Sequence, residues 1–245
     1  MSIISEEDLI KKLGITPNSK DEEDAKFYFR VKGMKFYQKL IDHLEKTKSS
    51  ITWQNVSSLF RYDKRLREKL YIYIATLEEY IRAFLSNKYE NEPDQFFWQD
   101  GKNKKSKVKE RISKGESVFE VLEETDFNTL ILQLKKIPEE VLGEMFENID
   151  NIEDNLKAVK ELRNAVSHHA FLLDYKFNKC FIKGAKGNSL EHNIKNLIQL
   201  LPKEYRLGKN GDGGIVKDIE KCKQGLKSNL DKNDIINIDV KEWVK

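Results

Sequence analysis

Between residues 53 and 89 the chain contains neither proline nor glycine, and apolar side chains recur at three- and four-residue steps: Leu59, Tyr62, Leu66, Leu70, Tyr73, Ile74, Leu77, Ile81 and Leu85. That spacing builds one sustained apolar face on an α-helix, so the segment predicts one or two long core helices. Asp63, Arg65, Arg67 and Glu68 are expected beside this stripe as a charged shoulder. Ser49, Ser50 and Thr52 mark the entry, and Pro93 with the Phe96, Phe97 and Trp98 cluster marks the exit.

Shorter elements flank this segment. Residues 6–13 predict a helix ended by Gly14 and followed by Pro17. A second starts near Asp21 or Asp24, and Gly33 breaks or bends it before Phe36, Tyr37, Leu40, Ile41 and Leu44 resume the helical spacing. Val118, Val121 and Leu122, then Leu130, Leu132 and Leu134, then Val141, Leu142, Met145 and Phe146 form short apolar units that should pack on the long ones. Asp150 or Asn151 is placed to cap an amphipathic helix carrying Ile152, Leu156, Val159, Leu162 and Val166. Alternation between Tyr175 and Ile182, with a turn at Gly184, Gly187 and Asn188, predicts a short extended excursion, and a helix over 189–201 stops at Pro202. Gly208, Gly211, Gly213 and Gly214 crowd the most linker-like stretch. The expected division is therefore a helical domain over 1–206 and a glycine-rich linker with a C-terminal appendage over 207–245.

Composition agrees with this pattern. With 245 residues, 39% hydrophobic and 35% charged, the chain can bury one sizeable core, and only 4 Pro and 12 Gly interrupt it, which makes all-α the expected class. The first residues lack a basic and apolar leader, and no apolar run approaches the ~20 residues of a membrane span, so a cytoplasmic protein is expected. Cys180 and Cys222 lie far apart without ligand spacing and read as ordinary thiols; no metal or cofactor is expected.

A net charge of +3 is too small to indicate a nucleic-acid partner, but the charge is unevenly spread. Lys102, Lys104, Lys105, Lys107, Lys109 and Arg111 crowd one segment, which reads either as a solvated loop or as contacts to RNA phosphates. Acidic residues instead precede the sequence that carries the most chemistry, Arg163-Asn164-Ala165-Val166-Ser167-His168, an R-N-x-x-x-H element at the end of the amphipathic helix.

On a regular helix, turning ~100° per residue, Asn164 lies ~100° and His168 ~140° from Arg163, so the three share one polar arc, while His169 falls at ~240°, outside it. Asn164 and His168 are an i,i+4 pair in which the amide could orient the imidazole. RNA cleavage needs a group to take the 2′-hydroxyl proton, a group to protonate the 5′-oxygen, and positive charge at the phosphate. Histidine can transfer protons near neutral pH, and arginine offers a fixed cationic fork. The bland alternative is a helix end whose Arg and His offset the C-terminal dipole.

Leu162-Arg163-Asn164-Ala165-Val166-Ser167-His168-His169-Ala170 resembles the R-x4-6-H signature of HEPN-fold ribonucleases, specifically their abortive-infection branch, Abi_2 (AbiD/AbiF-like). The stretch from Leu59 through Asp63 and Arg67 to Glu68, continuing from Leu77 through Arg82 to Leu85, resembles that branch's F-D-x-x-L-R … E-x-x-L-R block. The segment from Phe27 to Gly33 resembles its aromatic block more loosely. The resemblance implies a HEPN-like helical bundle with additional N-terminal and C-terminal helices, and a metal-independent endoribonuclease acting as toxin in bacterial anti-phage defence. It implies a homodimer with composite sites, and a small structured inhibitory RNA beside the RNA substrate. Carried over, Arg163 contacts the scissile phosphate, Asn164 orients, and His168 transfers protons, with His169, Asp63 and Arg67 in support. Two other readings stay open: a catalytically silent RNA-binding module, and a helical interaction protein whose polar arc is a dimer seam.

Overall fold

In the computed structural model the described residues are 5–91, 107–183, 185–209, 213–226, 229–231 and 234–236. The long apolar stripe becomes one helix, α4 (Trp53–Tyr89), of 37 residues, about 55 Å at ~1.5 Å per residue. Thr52 starts it through a reciprocal capping box with Asn55. All nine stripe residues are buried.

Three helices precede α4. α1 (Glu6–Lys12) is capped by Ser5, α2 (Lys20–Lys32) by Ser19, and Gly33, at φ 85°, separates α2 from α3 (Met34–Leu44). Their apolar faces and the first turns of α4 enclose a small core in which Phe29, Tyr37, Trp53 and Phe60 meet ring to ring. The rest of α4 serves a larger core. Around it lie α5 (Lys107–Ser113), α6 (Val118–Glu123), α7 (Phe127–Leu134), α8 (Glu139–Met145) and α9 (Ile152–Ser167), then, after a hairpin, α10 (Leu190–Leu200), α11 (Lys203–Leu207) and α12 (Gly214–Cys222). The chain is thus mostly helical. Among the described residues no helix is long and apolar enough to cross a membrane.

The expected extended excursion is a two-stranded antiparallel hairpin, β1 (Cys180–Ile182) and β2 (Ala185–Gly187), with Phe181 opposite Lys186. It is fastened by buried amides: Asn155 of α9 accepts the Phe181 N–H at 2.7 Å, and Asn196 of α10 donates to the Asn155 carbonyl at 2.8 Å. Asn151 stands at the N-cap of α9 as expected, but in the left-handed region at φ 56° and without a side-chain cap bond. Both cysteines are buried thiols, and burial pushes Cys180 up to about 12 and Cys222 up to about 11, which keeps them protonated.

The largest departure concerns the C-terminal segment, expected as a linker and appendage. Ile215, Val216, Ile219 and Cys222 of α12 are buried in the same core as α4 and α9, so no boundary between separate cores falls at 206/207. Farther on, Asn55 donates to the Asn229 carbonyl at 2.6 Å, and Thr47 and Lys48 hold the buried Asp234 at 2.6 and 3.1 Å. At Gly208 and Gly214 glycine serves close packing rather than looseness. Gly214 has φ 69°, and a Cβ on it would stand 2.4 Å from the Arg206 carbonyl oxygen. Gly214→Ala should therefore cost about 1–3 kcal/mol in urea unfolding. An unchanged midpoint would mean that this turn is a loose connection after all.

Candidate functional site

The R-N-x-x-x-H element occupies the last turn of α9, where the regular helix stops at Ser167. His168 is the C-cap residue and His169 takes the left-handed conformation at φ 54°. The His169 N–H bonds the Val166 carbonyl at 3.1 Å and the Ala170 N–H bonds the Ala165 carbonyl at 2.9 Å. This pairing is a Schellman ending, whose left-handed position is normally glycine. Histidine tolerates that region better than most side chains, yet the conformation still carries strain of about 1–2 kcal/mol.

That ending overturns the helical extrapolation for His169. The ~240° position assumed two more regular residues, whereas the reversed backbone swings this ring toward α4, where Arg67 Nη1 lies 3.2 Å from its Nδ1. A guanidinium can only donate, so Nδ1 accepts and the ring hydrogen resides on Nε2. His168 is exposed to solvent, and its backbone N–H bonds the Asn164 carbonyl at 2.9 Å. Among the described residues, the Asn164 amide makes no hydrogen bond to the His168 ring, so the expected orienting contact is absent from this arrangement.

Arg67 is itself held from below. Its Nε donates to Asp63 at 2.9 Å, and the other Asp63 oxygen accepts the Leu172 N–H at 2.9 Å. Asp63 is fully buried and Arg67 is 6% exposed, so the pair expected as a charged shoulder is interior. The reason lies in the chain leaving α9. Phe171 enters the smaller core while Leu172 enters the larger, and crossing between them carries a backbone N–H over Asp63. Two residues on, Asp174 is gripped by His43 at 2.9 Å and Lys46 at 2.8 Å. Burial opposes its charge, but these bonds hold its carboxyl below the ordinary range.

Above Arg67 opens a groove of about 510 Å³ between α2, α4 and the end of α9, within the ~300–1,000 Å³ of small-ligand clefts. Lys32, Lys64, Glu68, Tyr71 and His169 line it, with Val166 and Ser167 on the α9 side. Lys32 and Tyr71 were not singled out from the sequence; the i, i+4, i+7 recurrence of Lys64, Glu68 and Tyr71 beside the apolar stripe was the available signal.

Arg163 faces elsewhere. Its Nε lies 3.4 Å from Glu78, which also accepts from Arg82 at 3.4 Å, while 44% of its side chain stays exposed. Glu78 is eleven residues beyond Arg67 on α4, about 16 Å along the axis. Within one chain, Arg163 and the groove histidine are thus served by separate stretches of α4. Of the basic run, Lys102, Lys104 and Lys105 lie outside the described residues, and Lys107 and Lys109 belong to α5. Arg111, expected to bind RNA, has its guanidinium committed to Glu116 and to Glu124 at 2.7 Å.

Set against known protein families, curated proteins and solved structures, the chain matches none.

Removing one partner from the buried pair leaves an uncompensated charge, so Asp63→Ala should lower unfolding free energy by about 3–5 kcal/mol, read from urea titration. The pH dependence has a defined sign. Burial pushes the Asp63 carboxyl up to about 6, with the Arg67 charge, the Leu172 N–H and His43 acting in the opposite direction. A carboxyl raised on folding contributes most below its ordinary value of ~3.9, and that contribution declines as pH rises through the folded value. Relative to Asp63→Asn, the wild type should lose stability from pH 4 to about 6 and then level off. The opposite slope would show that the attraction of Arg67 outweighs burial.

Proposed function

We propose that this chain is a HEPN-type, metal-independent endoribonuclease, the effector of a bacterial abortive-infection system, working in the cytoplasm as a homodimer and restrained by a small structured RNA. The observation that carries this reading is the R-N-x-x-x-H-H sequence ending α9, of which Val166, Ser167 and His169 line a groove that also holds Lys32, Lys64 and the buried Arg67. His168, exposed at the helix end, transfers protons between the 2′-hydroxyl and the leaving 5′-oxygen. Arg163, nearly half exposed, meets the charge that builds on the phosphate. Asn164 orients the reacting group once RNA is bound.

Glu78, the partner of Arg163, lies about 16 Å along α4 from Arg67, and this separation also gives the dimer a physical task. A second copy would set its own helix end against the first and complete a shared site from two incomplete ones. The same separation favours the second reading, a catalytically silent RNA-binding module in which Arg163 stays with Glu78 and the groove only grips phosphate.

The two readings part on product. Under the first, purified protein cuts RNA to 2′,3′-cyclic-phosphate and 5′-hydroxyl ends, unaffected by EDTA. His168→Ala abolishes cutting and growth arrest while leaving the melting temperature unchanged, because the ring is solvent-exposed. Wild-type cleavage by that variant, or loss of cleavage with EDTA, sinks the mechanism; tight, salt-sensitive binding without product selects the silent module.

A further inference from the structure

We infer that the groove between α2, α4 and the end of α9 is a subsite for one unstacked nucleotide, in which the Tyr71 ring carries the base and Lys32 and Lys64 flank its phosphate. The inference rests on the ribonuclease reading for the identity of the ligand as RNA; the features of the subsite are geometric.

Tyr71 is 55% exposed on a helix whose neighbouring aromatic residues, Tyr62 and Tyr73, are buried. Among the described residues its ring packs on no other ring. It lines the groove with Lys64 and Glu68 of the same helix face and Lys32 from α2. Exposing an aromatic ring beside lysines has a cost in water, and its use on single strands is stacking, which every base accepts because every base has a π-face.

The charge balance points the same way. Lys64 and Glu68 are 3.8 Å apart and both more than half exposed, a loose pair that a phosphate can displace. Lys32 adds a further cation to the lining, where Glu68 is the carboxylate, while the charge of Arg67 is offset by Asp63 beneath it. Arg67 cannot follow a ligand outward, since Asp63 holds its Nε. It acts instead as a positioning residue, occupying His169 Nδ1 and so leaving Nε2–H as the donor of that ring. A nucleotide supplies the complement: a flat ring for Tyr71, an anion for the lysines and acceptor oxygens for Nε2–H.

The test uses the non-cleaving His168→Ala protein, so that binding is read apart from turnover. A short single-stranded oligoribonucleotide with one central 2-aminopurine should show quenched fluorescence on binding and bind more tightly than the same strand with an abasic centre. Adding Tyr71→Ala should weaken binding about 5- to 150-fold, the range of ~1–3 kcal/mol for one stacked base. Tyr71→Trp should restore it, and Lys64→Gln should lower the salt slope by about one. Equal affinity of the Tyr71→Ala protein, or of the abasic strand, overturns the subsite. If wild-type protein cleaves RNA while Tyr71→Ala in the active chain leaves KM unchanged, the subsite falls and the ribonuclease reading stands. Absence of both RNA binding and cleavage removes the two together.

Discussion

The arrangement depends on one buried carboxylate. Asp63 sits where the two cores meet, with one oxygen on Arg67 and the other on the Leu172 N–H. An ionised carboxylate without partners in that setting would cost several kcal/mol, so the partners are required wherever Asp63 is interior and charged. Satisfying the second oxygen draws the chain leaving α9 across α4. Satisfying the first turns Arg67 upward, where its remaining donors are offered to the groove and to His169. A packing requirement at the seam thus fixes the position of a ring at the surface.

Around that seam the helix ending and the loop act together. The left-handed His169 reverses the backbone, Phe171 and Leu172 separate into different cores, and Asp174 is tied to His43 of α3 and to Lys46 just after it. Each contact is modest, but all constrain the same six residues from His169 to Asp174, so the strain at His169 is supported from both sides. Strained residues persist only where the surroundings over-determine them.

Much of the helical framework was legible because periodicity and caps report on single elements. The bounds of α4 follow from the Thr52 cap and from the lack of proline and glycine, and the α2–α3 break follows from Gly33. What escaped the sequence depends on two elements at once. A helical wheel places Asp63 and Arg67 at the edge of the stripe but cannot know that Leu172 will cross there. The position of His169 was extrapolated from a regular helix, although the change from helical spacing to the apolar run Phe171, Leu172 and Leu173 marks where regularity ends. The glycines after Leu207 were read as slack because composition alone does not distinguish a flexible joint from a close approach, as at Gly214.

The length of α4 has a further consequence for how such a chain can diverge. One uninterrupted helix carries the seam at Asp63, the groove wall from Lys64 to Tyr71, and the Glu78–Arg82 pair that faces Arg163. A single inserted residue between Tyr71 and Glu78 would rotate everything after it by ~100°, and only steps of three or four would nearly restore the face while shifting it by about one ~5.4 Å turn. Related chains should therefore accumulate length changes in the connections and conserve the residue count of this helix, which works as the ruler of the molecule.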